Sequence, residues 1–127
     1  MANIKIPTAT ELSILQVLWE NGPSTVREVH DRLSKSEQLG YTSTLKMLQI
    51  MYKKGLVERN DEQRSHIYRA ARPAEQTQRG LITDLVNKAF AGSATDLVVR
   101  ALSSKKISHE ELEQVRAFIE QKASEND

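Results

Sequence analysis

Thr42, Ser43, Thr44, Lys46, Met47 and Gln49 crowd together in the stretch YTSTLKMLQIMYKKG, residues 41 to 55, and Lys53 and Lys54 close it. Hydroxyls, an ammonium and a primary amide are the groups that meet phosphate oxygens and base edges. Lysine donates to guanine acceptors, glutamine pairs with adenine, and an apolar Met47 suits a thymine methyl. On a helix, Thr42, Lys46, Gln49 and Lys53 fall on one side, while Leu45, Leu48 and Tyr52 fall on another and hold the helix to its domain. The polar stripe contains no carboxylate. Thr42, Ser43 and Thr44 at the helix start suit phosphate or base-edge contacts, because free first-turn amides favour an anion. Lys53 and Lys54 either neutralise backbone phosphates or answer the helix dipole with no DNA present.

The elements that must carry this stripe are legible on both sides of it. Thr8-x-x-Glu11 is a capping box opening a first helix, with Leu12, Leu15, Leu18 and Trp19 at helical spacing and Asn21-Gly22-Pro23 as its stop. Thr25-x-x-Glu28 opens a second helix with Val26, Val29 and Leu33 inside. After the polar SKSEQLG the stripe becomes helix three, with Thr42 as its cap and Gly55 as its C-terminal stop. Leu56–Arg59 and Ser65–Ala70 then read as two strands joined by a polar turn, which puts Arg64 and His66 near a hairpin tip. Helix, helix, helix, strand, turn, strand is the order of a winged helix-turn-helix, in which the third helix enters the major groove and the hairpin reaches the backbone beside it.

Charge supports the same division. The whole chain of 127 residues is nearly neutral at +1, but residues 1–72 carry 11 Lys and Arg against 8 Asp and Glu, a balance of +3. Residues 73–127 carry 7 against 9, a balance of −2. A winged-helix domain over 1–72 and a helical domain over 73–127 are therefore expected, making the chain mainly α. In the second part a helix from Pro73-Ala74 to about Ala91 carries Leu81, Leu85 and Phe90. A short helix after Ser93 carries Leu97, Val98 and Leu102, and Ser108-x-x-Glu111 opens a last helix with Leu112, Val115, Phe118 and Ile119. Three short helices with wide apolar faces bury themselves poorly alone, so residues 73–127 read as a homodimerisation module. Folding back on the first domain is the alternative.

Other chemistries find little support. With no cysteine, disulfides, zinc-thiolate sites and thiol catalysis are excluded. His30, His66 and His109 are scattered over three segments, so no metal site is expected. There is no nucleophile with a base and orienter, no Gly-rich phosphate loop and no HExxH, and Glu110, Glu111 and Glu113 crowd a solvent face; neither an enzyme nor a bound cofactor is expected. The start, MANIKIPTATE, lacks the pattern of a signal peptide, and no apolar run is long enough to span a membrane, so a cytoplasmic location is the default.

ELSILQVLWENGPSTVREVHDRL, YTSTLKMLQIMYKKGLVER, SHIYRA and FAGSATDLVVRAL together resemble the penicillinase-repressor family of BlaI and MecI type, with its copper-responsive CopY branch. The resemblance covers nearly the whole chain. It implies a bacterial, dimeric winged-helix repressor bound to an inverted-repeat DNA operator, with Thr42, Ser43, Thr44, Lys46 and Met47 facing the groove. It also implies a membrane-bound metalloprotease sensor as regulator, and β-lactam-resistance or related stress genes as targets. Two departures stand out. Antibiotic-resistance members are cut at an Asn-Phe bond in the penultimate helix, where this chain has Arg100-Ala101, and copper-sensing members use tail cysteines that this chain lacks. A winged-helix protein-interaction module and a small-ligand-sensing repressor are the competing readings.

Overall fold

The computed structural model describes residues 6–33, 35, 38–104 and 106–126. They form two compact units, residues 1–83 and 84–127, so the division falls inside a helix rather than at its start. Residues 34, 36 and 37 of the polar SKSEQLG connection lie outside the described residues.

The first unit begins with α1 (Ala9–Asn21). Its capping box is complete: Thr8 N–H donates to Glu11 Oε1 at 2.8 Å, and Glu11 N–H donates to Thr8 Oγ1 at 3.2 Å. Gly22, at φ 78°, ends the helix in a conformation that costs glycine little. Two residues of strand follow, β1 (Ser24–Thr25), and then α2 (Val26–Leu33). Thr25 serves both elements, since it also exchanges capping bonds with Glu28 at 3.0 and 3.2 Å.

Helix α3 (Tyr41–Lys54) starts two residues earlier than the sequence suggests. Its N-cap is Gly40, which offers no side chain, so Thr42 lies within the first turn and is not the cap. At its other end Gly55 takes φ 82°, and Leu56 N–H donates to Met51 O at 2.9 Å, the six-residue closure that glycine permits. Strands β2 (Val57–Asn60) and β3 (Ile67–Ala70) make the hairpin, in the register Val57 to Ala70 and Asn60 to Ile67. Leu56, Ser65 and His66 therefore lie outside the strands, because the Gly55 closure uses Leu56 and a six-residue loop runs from Asp61 to His66. The sheet has three strands, ordered β1-β3-β2, with Ser24 opposite Tyr68 and Thr25 opposite Ile67.

One core joins these elements: Ile14, Leu15, Leu18, Val26, Val29, Leu33, Leu48, Met51, Leu56, Val57 and Tyr68. Each fully buried aliphatic side chain contributes about 1.5–3 kcal/mol. Trp19 packs at its edge, as an anchor should, and its Nε1–H donates to Arg72 O at 3.0 Å, which ties the chain leaving β3 to α1. Ser24 Oγ donates to Gly22 O at 2.9 Å and Thr44 Oγ1 to Gly40 O at 3.0 Å, whereas His30 Nδ1 is buried with no hydrogen-bond partner among the described residues.

Helix α4 (Ala74–Ala89) ends at a turn where Ala91 has φ 50° and Gly92 φ 84°, and Gly92 N–H donates to Val86 O at 3.0 Å. Ser93 Oγ accepts from Asp96 N–H at 3.1 Å and opens α5 (Ala94–Ser104); Ser108 and Glu111 open α6 (His109–Glu125). Among the described residues from 84 onward, Val86 alone is buried.

Candidate nucleic-acid interface

Helix phase decides which side chains of α3 are available. Thr44, Leu48 and Met51 are its buried residues, and Thr42, Ser43, Lys46, Gln49 and Lys53 are exposed. The expectation that Thr44 faces outward is therefore corrected. Its hydroxyl points into the core and satisfies itself on the carbonyl one turn back, a bond that a helical threonine makes without outside help. Tyr52, expected as an anchor, is 41% exposed. Its ring lies under Arg59 of β2, with the guanidinium carbon 4.2 Å from the centroid, so it braces the hairpin against α3 instead of filling the core. Met47 and Leu45 are half-buried and pack on the core edge, which leaves only part of Met47 open to a ligand.

Lys54 departs furthest from expectation. Its Nζ lies 2.8 Å from Glu11 Oε2, and the Glu11 side chain is 1% exposed. Burial alone would raise the Glu11 pKa, but the Lys54 hydrogen bond, the Thr8 amide and the lysine charge together hold it below the usual 4.5. Lys54 is thus committed to a buried carboxylate and does not serve as a free phosphate neutraliser. Lys53, its exposed neighbour, has no such partner among the described residues.

The hairpin presents two unlike sides. On one, Glu58, Arg59, Asp61, Glu62 and Arg69 line a cleft whose charges pair internally, Arg59 to Asp61 at 2.6 Å and Arg69 to Glu58 at 2.6 Å. On the other, facing α3, the lining includes Arg27, Tyr41, Gln49, Arg64, Ser65 and His66 and no carboxylate. Arg64, His66 and Gln49 thus converge, although Gln49 meets them on the hairpin side of α3. Arg27 and Tyr41 belong to the same cleft and were not singled out from sequence. An unbroken run of capped helix hides a residue such as Arg27, whose partner sits on the next helix.

The expected dimerisation residues divide by exposure. Leu81, Phe90, Leu97, Leu102 and Val115 are half-buried, while Leu85, Val98, Leu112 and Ile119 are exposed. Ile82, Val99 and Phe118 are exposed as well, Phe118 at 66%. Among the described residues no cluster of His, Cys, Asp or Glu could hold a metal ion, and no helix is long and apolar enough to cross a membrane.

Comparison with known proteins gives three findings. The family model described as penicillinase repressor matches residues 7–121. The transcriptional regulator BlaI of Mycobacterium tuberculosis (strain ATCC 25618 / H37Rv) is 34% identical over 80 residues, which is 62% of this chain and 58% of that protein. The chain therefore spans little more than half the length of the curated relatives it matches. The solution structure of the DNA-binding domain of the repressor BlaI is similar at 26% identity with a TM-score of 0.51, covering 58% of this chain and 90% of that one.

Proposed function

The chain belongs to the penicillinase repressor family, and from that premise we propose that it is a sequence-specific DNA-binding transcriptional repressor that acts as a homodimer on a palindromic operator. The observation that carries this reading is the exposed face of α3. Thr42, Ser43, Lys46, Gln49 and Lys53 stand out from a helix with no acidic residue, beside an acid-free cleft of the wing. In this reading Thr42, Ser43 and Lys46 meet bases at the helix start, with the open part of Met47, and Gln49 follows one turn later. Lys53, Arg64 and His66 meet the backbone. The fold agrees with that of a BlaI DNA-binding domain, a protein named as a repressor.

A docking face for another protein would need exposed apolar surface at α3. The exposed large hydrophobics there are Tyr41 and Tyr52, each capped by an arginine, which disfavours that role. Dimerisation through residues 73–127 is supported by the exposed Leu85, Val98, Val99, Leu112, Phe118 and Ile119, more apolar surface than three isolated helices retain in water. Two-fold symmetry then calls for half-sites spaced by about one helical turn of DNA or a multiple of it. Control by a membrane metalloprotease sensor remains part of this reading, but relief of repression cannot use an Asn-Phe bond, because none occurs in the chain.

The decisive experiment is a fluorescence anisotropy titration of duplex DNA against salt. A dimer making about 6–10 phosphate contacts loses on the order of a thousandfold or more in affinity between about 50 and 200 mM salt. A flat profile would reject the reading.

A further inference from the structure

We propose that Arg27, stacked on Tyr41, is a clamp for a DNA backbone phosphate in the cleft between α2, α3 and the wing. This rests on the DNA-binding reading above and adds a residue outside the helix that reads bases. The Arg27 guanidinium carbon lies 4.6 Å from the Tyr41 ring centroid, and the same ring makes a T-shaped contact with His30, centroids 5.7 Å apart and planes at 82°. An arginine held over an aromatic face keeps its fork of N–H donors in the ring plane direction, free at the rim to take an anion bidentately. Among the described residues Arg27 makes no ion pair, and neither does Arg64 across the cleft.

The two sides of the hairpin supply the contrast that assigns the occupant. The outer cleft is lined by three carboxylates, Glu58, Asp61 and Glu62, and its arginines are spent on them. The inner cleft, about 290 Å³, is lined by Arg27, Arg64, His66, Ser65, Gln49 and Thr25 among others, with no acid. Two carboxylates touch the lining from outside and both are engaged: Glu28 Oε1 accepts from Thr25 N–H at 3.0 Å in its capping box, and Asp61, 3.4 Å from His66 Nδ1, is held by Arg59 at 2.6 Å. Two unpaired guanidinium groups facing an open polar cleft call for an anion that arrives with a partner. The cleft opens beside Tyr41, where α3 begins with a glycine cap that offers no side-chain acceptor. A phosphodiester flanking the groove entered by α3 supplies that anion to the two guanidinium groups. Arg27 then fixes how deeply α3 sits in the groove without reading sequence.

The test uses the full chain and a fluorescein-labelled, mixed-sequence duplex titrated between about 50 and 200 mM salt. Arg27→Ala is expected to bind about tenfold or more weakly, and the slope of log affinity against log salt to fall by about 0.9, the share of one phosphate. Tyr41→Ala, which removes the stack, should fall toward Arg27→Ala. Thermal melts of the variants separate contact from folding: Arg27 is exposed, so its melting temperature should not move. If Arg27→Ala does melt early, Arg27→Gln, which keeps the stem, is read in its place. Binding and slope equal to the parent in both Arg27 variants overturn the clamp while leaving the repressor reading intact. Absence of salt-dependent binding in the parent overturns both.

Discussion

Glu11 and Lys54, 43 residues apart, meet at 2.8 Å, so the carboxylate that closes the start of α1 also holds the last turn of α3. Glu11 Oε1 accepts from Thr8 N–H while Oε2 accepts from Lys54 Nζ, and the carboxylate is almost wholly out of water. A buried carboxylate stripped of its cation is costly, so the pair fixes the exit of α3 against the first helix.

Lys54→Met should lower unfolding free energy by about 1–3 kcal/mol near pH 7, the cost of leaving a buried polar group short of a partner. The folded Glu11 carboxyl titrates below 4.5, so its contribution is complete above that value and is lost as pH falls through the lower folded value. Urea unfolding of the parent and the variant should therefore differ near neutrality and converge in acid. A difference that persists in acid would show that lost packing, and not the ion pair, sets the effect.

Lys46→Ala should relax preference among half-site sequences by about 1–3 kcal/mol, whereas Lys53→Ala and Arg64→Ala should weaken every sequence alike and reduce the salt slope. Competition anisotropy with operator and scrambled duplexes separates the two behaviours. Unaltered half-site preference in Lys46→Ala would remove it from the base-reading set.

Thr44→Val should leave DNA affinity unchanged and lower stability by about 1 kcal/mol, since it deletes only the buried bond to Gly40 O. Ser43→Ala, on the exposed side of the same turn, should do the reverse. Paired melts and binding curves check both, and weakened binding by a well-folded Thr44→Val would return that hydroxyl to the interface.

Val98→Glu combined with Ile119→Glu should yield monomers in sedimentation equilibrium, because a charge on an apolar contact must be desolvated without a partner. Both residues are exposed in the single chain, Val98 at 44% and Ile119 at 52%, so the substitutions do not disturb a core. A dimer that survives them would locate the association elsewhere.

Local rules carried much of this fold in the sequence. The capping boxes at Thr8, Thr25 and Ser108 form as read, because their partners lie three residues away. Strand β1 escaped notice because it is two residues long and pairs with residues 67 and 68, far along the chain. A similar separation hides the Glu11–Lys54 pair, and the stacking of Arg27 on Tyr41 joins two different helices. On α3 the apolar spacing of Leu45, Leu48 and Tyr52 pointed about one position away from the true inner line of Thr44, Leu48 and Met51. A threonine that bonds its own helix is as easily buried as a small apolar residue, and periodicity of hydrophobic letters does not register it.

That inner line has an evolutionary consequence. Thr44, Leu48 and Met51 hold α3 in place, and Thr42, Ser43, Lys46, Gln49 and Lys53 face outward, so the two sets share no residue. A lineage can exchange the outer letters one by one while the inner ones go on building the same scaffold. Ancestry would then be recorded on the hidden side of the helix, and adaptation to new targets on the visible one.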